Sequence, residues 1–330
     1  TDGASRGQIL SALGADSLEQ LQSRAALLWQ ENSWDDGMVT SLLANSIWLQ
    51  DGYEYNEETL KKLGEEFFAS AFSGEMGSED YNKQLQSWLN DNTGGLLTEQ
   101  AGSVQLRSET VLALVSTIYY SAQWSDQFYE QNNTQDTFHA PSGDETVTFM
   151  HSSDSGTVYY GEGFTATGLS LENSGYMWLL KPDAGTSAAE LLQSGEAVDF
   201  LLANGDWAQS HRARIDLSIP KFDVSSDLDL LDALAQLGMT DVQTPGAADF
   251  TPLTTANQLP LALTEAKHAA RVKIDEDGCE AAAYTILSVC ETAAMPPEEI
   301  VEFTLDEPFV FAITGIDGLP LFVGIVNEVG

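Results

Sequence analysis

Basic charge and thiols are both scarce in this chain of 330 residues. Lysine and arginine number 13 against 51 aspartates and glutamates, for a formal net charge of −38. Nucleic acid is therefore excluded as a partner, because a basic patch supplies affinity for phosphate backbones. The acids are spread along the chain rather than gathered in a tail, which reads as a highly solvated surface. They form no calcium loop: D-x-[DN]-x-[DN]-G is absent, and Asp35-Asp36-Gly37 is too short to count. Only two cysteines occur, Cys279 and Cys290, so no disulfide framework holds the fold. Their spacing fits no zinc or thioredoxin-type motif, and His139, His151, His211 and His268 have no cysteine or histidine at ligand spacing. Neither metal nor cofactor is expected. No apolar run approaches the roughly 18 residues of a membrane span, so no membrane partner is expected. G-x-S-x-G, H-E-x-x-H and G-x-x-x-x-G-K-[ST] are all missing, and the chain is not expected to be an enzyme.

Also missing are runs rich in proline, glycine or serine, internal repeats and low-complexity blocks. With 43% hydrophobic content, residues 1–330 read as one domain with a large core. Helical periodicity marks 5–31, 57–71, 78–90, 187–203 and 228–237, the last stopped by Gly238. Ser78-Glu79 suits a helix start. Strands are expected at 42–49, at 110–121 with both faces buried, as short pieces over 136–181, at 215–222 and through the last thirty residues. Helices come first and strands later, so the class is α+β.

Residues 265–275 alternate with period two. Ala266, His268, Ala270, Val272 and Ile274 share one face, and Glu265, Lys267, Arg271, Lys273 and Asp275 the other. Gly278 then marks a hinge, since glycine accepts backbone angles that other residues resist. A second alternation puts Cys279, Ala281, Ala283, Thr285, Leu287 and Val289 on one face of an extended segment. A surface loop has no use for that pattern; a segment that must become a central strand needs it.

At Glu276-Asp277-Gly278-Cys279-Glu280-Ala281-Ala282-Ala283 the sequence resembles the hinge of an inhibitory serpin. Further matches run nearly the whole length. They include Leu114–Tyr120 with Trp124 and Phe128, Trp88-Leu89 with Thr93, Gly95 and Leu97, and Ile219-Pro220-Lys221-Phe222 with Leu237-Gly238-Met239. Ala248-Asp249-Phe250, Glu307–Phe311 and Leu321–Gly324 complete them. The resemblance implies three β-sheets packed with about seven to nine helices, a metastable fold, and an exposed reactive-centre loop at 276–300. It also implies that the domain is N-terminally incomplete, because Gly3–Gln8 resembles the end of an early serpin helix.

The implied function is suicide-substrate inhibition of a serine protease by a secreted or extracellular monomer. Residues 276 and 278–283 would be the hinge. Counting from Glu276 puts the scissile bond after Thr292; counting back from Pro296-Pro297 puts it after Ala293. Both are small, and no arginine or lysine follows Lys273, so an elastase-like or subtilisin-like target is expected. The acidic surface argues against heparin-type activation. His268 would hold the main sheet closed with Asn173 or Ser174, and the tryptophan the family keeps at the top of that sheet falls on Thr165. A Cys279–Cys290 bridge would lock the loop, but the sulfurs lie roughly 36 Å apart when it is extended. The alternative reading is a non-inhibitory relative acting as a carrier or interaction scaffold.

Overall fold

The computed structural model describes residues 1–37, 39–95, 102, 104–254, 261–264, 266–279 and 299–329. In chain order the elements begin with α1 (Gly3–Ala12), α2 (Leu18–Asn32), β1 (Trp34–Asp35), β2 (Val39–Gln50), α3 (Glu57–Glu66), β3 (Ala69–Gly74), α4 (Glu79–Asp91) and β4 (Leu112–Gln123). Next come β5 (Thr134–Ala140), β6 (Gly143–Gly161), β7 (Phe164–Ser170), β8 (Tyr176–Pro182), α5 (Ala188–Gln193), α6 (Glu196–Ala203) and β9 (Ser210–Pro220). The chain finishes with β10 (Asp223–Asp229), α7 (Leu231–Gln236), β11 (Lys267–Lys273), β12 (Gly278–Cys279), β13 (Ile300–Thr304), β14 (Phe309–Thr314) and β15 (Pro320–Val326). These strands form sheets of five, two and eight, so the class is α+β.

Two compact units divide the chain. The first holds residues 1–34, 41–119 and 225–271. Four of its helices, α1 to α4, start on side-chain caps: Asp2, Ser17, Asn56 and Ser78 each accept a backbone N–H of the first turn. The periodic stretch 5–31 is two helices, because Gly14 turns the chain at φ +58°. The pattern at 57–71 ends early, and Ala69–Gly74 pairs in parallel with Asn45–Gln50 instead. The helix stops before Phe68, which takes φ +53° and stacks on Trp29 with ring centroids 3.8 Å apart. α4 packs Tyr81, Leu85 and Leu89 against Trp48, Met76 and Leu106. β4 is not buried on both faces throughout: Leu114 is 54% exposed and Ser116 is exposed too, whereas farther along that same face Tyr120 and Ala122 are buried.

The second unit holds residues 35–40, 120–224 and 272–330. Its sheet runs β13-β9-β6-β7-β8-β14-β15, with β5 on β6. The expected short strands include one of 19 residues, β6, which follows β5, then β9, then β7. Its middle, His151–Gly156, has no apolar alternation, so only the ladder to β9 reveals it. β14 is buried throughout and lies between β8 and β15. Gly195, at φ +74°, breaks 187–203 into α5 and α6. Together these helices cover Phe164, Trp178, Leu180 and Val310 with Leu191, Phe200 and Leu201.

Candidate functional site

The stretch around Glu276 is folded by its own side chains and then clamped. Asp275 Oδ1 accepts from the amides of Asp277 (3.0 Å) and Gly278 (3.3 Å), and the Asp275 amide donates to the Gly278 carbonyl (3.0 Å). This tight turn brings Cys279 back beside Ile274. β12 thereby runs antiparallel to the end of β4, with Gly278 opposite Gln123 and Cys279 opposite Ala122. The first residues of the sequence-marked loop are thus a short strand, and Cys279 is 2% exposed.

Gly278 is required for space rather than for conformational freedom. It is absent from the left-handed glycines, but a Cβ there would lie 2.1 Å from the Ala122 carbonyl oxygen and 2.7 Å from Gln123 Cα. Backbone atoms in a ladder cannot yield by that much. The hinge glycine thus serves close approach to β4 and not the unusual backbone angles that the sequence suggests.

Trp124 and Phe128 hold the turn from one side. The Trp124 amide donates to the Asp277 carbonyl (2.9 Å), its indole Nε1 to the Asp275 carbonyl (2.9 Å), and the Phe128 amide to the Glu276 carbonyl (3.1 Å). Both rings are buried and meet edge to face at 6.1 Å. The Glu276 carboxylate, 16% exposed, takes Lys221 Nζ at 2.5 Å and the amide of Asn133. Burial alone would raise its carboxyl, but hydrogen bonds from Lys221 and Asn133 prevail and hold it below the ordinary range. Asp277 goes the other way, raised by burial and then by the Asp275 and Glu276 carboxylates. Burial also pushes the Cys279 thiol far up, with Asp275 adding to it, so this thiol is not a nucleophile.

The other residues singled out from the sequence lie as follows. Glu280, Ala281, Ala282, Ala283, Cys290, Thr292 and Ala293 fall outside the described residues. The far end of that segment is anchored: the Arg214 amide donates to the Glu299 carbonyl, and β13 runs parallel to β9 from Ile300 opposite Arg214. Ser174 Oγ shares a hydrogen bond of 2.6 Å with the Tyr120 hydroxyl. Asn173 turns the chain at φ +50°. His268 lies on β11, and its side chain falls outside what is described. Thr165 sits on β7 opposite Tyr160 and Lys181; the indole at the hinge is Trp124. Sequence reasoning missed Asn133 and Lys221 as partners of Glu276, although Lys221 stands in one of the recognised runs. No group of three or more potential metal ligands occurs among the described residues.

The clamp makes a pH prediction. Glu276 has a lowered carboxyl, so its contribution is complete above the unfolded value of 4.5 and fades as pH falls through the folded one. Glu276→Gln should lower the thermal midpoint near neutrality by an amount matching about 1–2 kcal/mol, the loss of charged hydrogen bonds. That deficit should shrink below pH 4.5. A deficit unchanged from pH 7 to pH 3 defeats the assignment.

The family model described as Serpin (serine protease inhibitor) matches residues 1–329. The chain belongs to the serpin family, whose members are in general protease inhibitors rather than catalysts. Serpin-ZX of Arabidopsis thaliana is 26% identical and covers 99% of this chain and 86% of its own length. Human neuroserpin is 26% identical, over 98% and 80%. Among solved structures, the native state of the thermophilic serpin tengpin gives a TM-score of 0.87 at 24% identity, covering 99% of this chain and 83% of its own. Thyroxine-binding globulin in complex with thyroxine gives 0.81 at 21% identity, covering 99% and 87%. The fold is the serpin fold.

Proposed function

We propose that this serpin is a suicide-substrate inhibitor of an elastase-like or subtilisin-like serine protease, with 276–300 as its reactive-centre loop. One observation supports this above the rest: the segment 280–298 leaves from a strand already paired with β4 and returns into a ladder with β9. Such a segment offers an enzyme a tethered substrate while its hinge end stands at the start of a sheet position. The protease attacks after Thr292 or Ala293 and forms an acyl-enzyme. The freed hinge side, led by Gly278 and Cys279 and continued by Ala281 and Ala283 on the same face, extends β12 along β4. Serpins are a standing example of such strand addition. From Glu276 to Thr292 an extended chain spans roughly 50 Å, and the attached enzyme is carried that far and loses the geometry for deacylation.

The same reading makes residues 1–330 one serpin domain, acting as a monomer outside the cell. His268 with Asn173 or Ser174 serves as the closure of the main sheet. A second reading follows from the likeness to thyroxine-binding globulin: a carrier or scaffold that proteases merely cut. Mixing the chain with pancreatic elastase or subtilisin and running a denaturing gel separates the two. A band at the summed mass that survives boiling is expected, and mass spectrometry of the released C-terminal peptide then chooses between Thr292 and Ala293. Complete cleavage without that band rejects inhibition in favour of the carrier.

A further inference from the structure

The eight-stranded sheet forks. β7 is laddered to β6 only over Tyr159–Gly161, whereas β6 follows β9 from Phe149 to Tyr159 and β7 follows β8 along its length. The Thr167 hydroxyl bridges the root of the fork, donating to the Thr157 carbonyl at 3.2 Å. Beyond it the strands part and enclose a cavity of about 410 Å³. That lies within the roughly 300–1,000 Å³ of small-molecule sites. Gly205, at φ +89°, closes one side; a Cβ there would sit 3.0 Å from the Trp178 ring and 3.3 Å from the Tyr159 hydroxyl.

The lining selects by charge and polarity. Asp126 and Asp154 both belong to it, and no lysine, arginine or histidine does. An anion is repelled there, by these carboxylates and by a chain of net charge −38. A wholly apolar molecule would cover the hydroxyls of Ser152 and Ser170 without offering them a hydrogen-bond partner. A cation that also donates hydrogen bonds satisfies the carboxylates and meets the rings of Tyr176 and Trp178, which lie 5.2 Å apart at 30°.

The same cavity touches the hinge clamp. Trp124 and Phe128 line it, and their backbone amides are the ones that hold Asp277 and Glu276. We propose that this cleft binds a small organic cation, an ammonium or guanidinium on a short body, and that its occupancy favours the docked hinge. The ligand braces the segment that carries those amides, and it can shift docking only by its differential affinity for the two states. The second half rests on reading 276–279 as the hinge of an inhibitory loop; the binding itself does not.

Agmatine and choline, titrated calorimetrically into the full chain at 0.15 M salt, are the probes, with benzoate and sorbitol as controls. At least one cation should bind and neither control should. Asp154→Asn should weaken the affinity about tenfold, as for loss of a charge-assisted bond. Asp80→Asn, an exposed acid of α4, should leave it unchanged. Absence of binding overturns the site, and equal losses in both variants mean diffuse counterion attraction and overturn it too. At saturation, exchange of the Trp124 and Phe128 amides should slow at least about fivefold, the lower end of ordinary coupling. Tight binding with unchanged exchange overturns the coupling. Neither readout involves a protease, so failure to trap one rejects the inhibitor reading while leaving the cleft standing.

Discussion

A single cut between residues 280 and 298 is expected to raise the thermal midpoint of this serpin by on the order of 15 °C. The estimate follows from strand addition. Insertion of about a dozen residues supplies ten or so ladder hydrogen bonds, at roughly 1 kcal/mol net each. Burial of small inward side chains offsets part of the entropy of ordering the segment. Against this stands an unfolding entropy of about 2 cal/mol/K per residue, or about 0.7 kcal/mol/K over the chain. A gain of about 10 kcal/mol therefore moves the midpoint by about 15 °C. It also equals the stability of an ordinary domain, roughly 5–15 kcal/mol, which is why the intact chain is expected to be metastable relative to the cut one. The check is calorimetry before and after limited proteolysis, with the cut confirmed by mass spectrometry. A midpoint that stays put or falls after a confirmed cut removes insertion from the account and leaves the carrier reading.

Much of the fold was legible in the sequence, and the reasons are local. Ser78 caps α4 where a serine–glutamate pair announces it, and Gly238, at φ +91°, ends α7. Buried β14 reads as an unbroken apolar run. Where the reading failed, the deciding atoms were distant or the signal was backbone alone. The middle of β6 is serine and aspartate, held by its ladder to β9 rather than by apolar alternation. The site shows the same division. Gly278 announces a hinge, but the turn from Asp275 and the clamp around it do not show in the sequence. Glu276 finds Asn133 across 143 positions, and Trp124 finds Asp275 across 151. No periodicity within either segment encodes such a meeting. Gly278 is the instructive case, because the sequence marked the right residue for a reason that the Ala122 carbonyl replaces.

Gly278→Val is expected to undock β12 and, under the proposed inhibitory mechanism, to leave the chain a substrate. Any Cβ at this position meets the Ala122 carbonyl oxygen at 2.1 Å, and a branched side chain adds two further methyls that must find room beside Gln123 Cα. The strand moves out, since β4 is fixed by its own ladder. At least two pairings are then lost, Gly278 with Gln123 and Cys279 with Ala122. At about 1 kcal/mol each they amount to about 2 kcal/mol, or roughly 30-fold in the population of the undocked state. Cys279 reports that population directly. In the parent chain its thiol is 2% exposed and raised by burial, so a thiol reagent reaches it only through opening. Peptide mapping after timed iodoacetamide labelling should show Cys279 modified about 30 times faster in the variant. If insertion starts from this pair, the protease then escapes as well, and the band at the summed mass gives way to free cleavage product. Equal labelling rates in the two chains, or an undiminished covalent band from a variant whose Cys279 has become reactive, would show that insertion does not begin at Gly278.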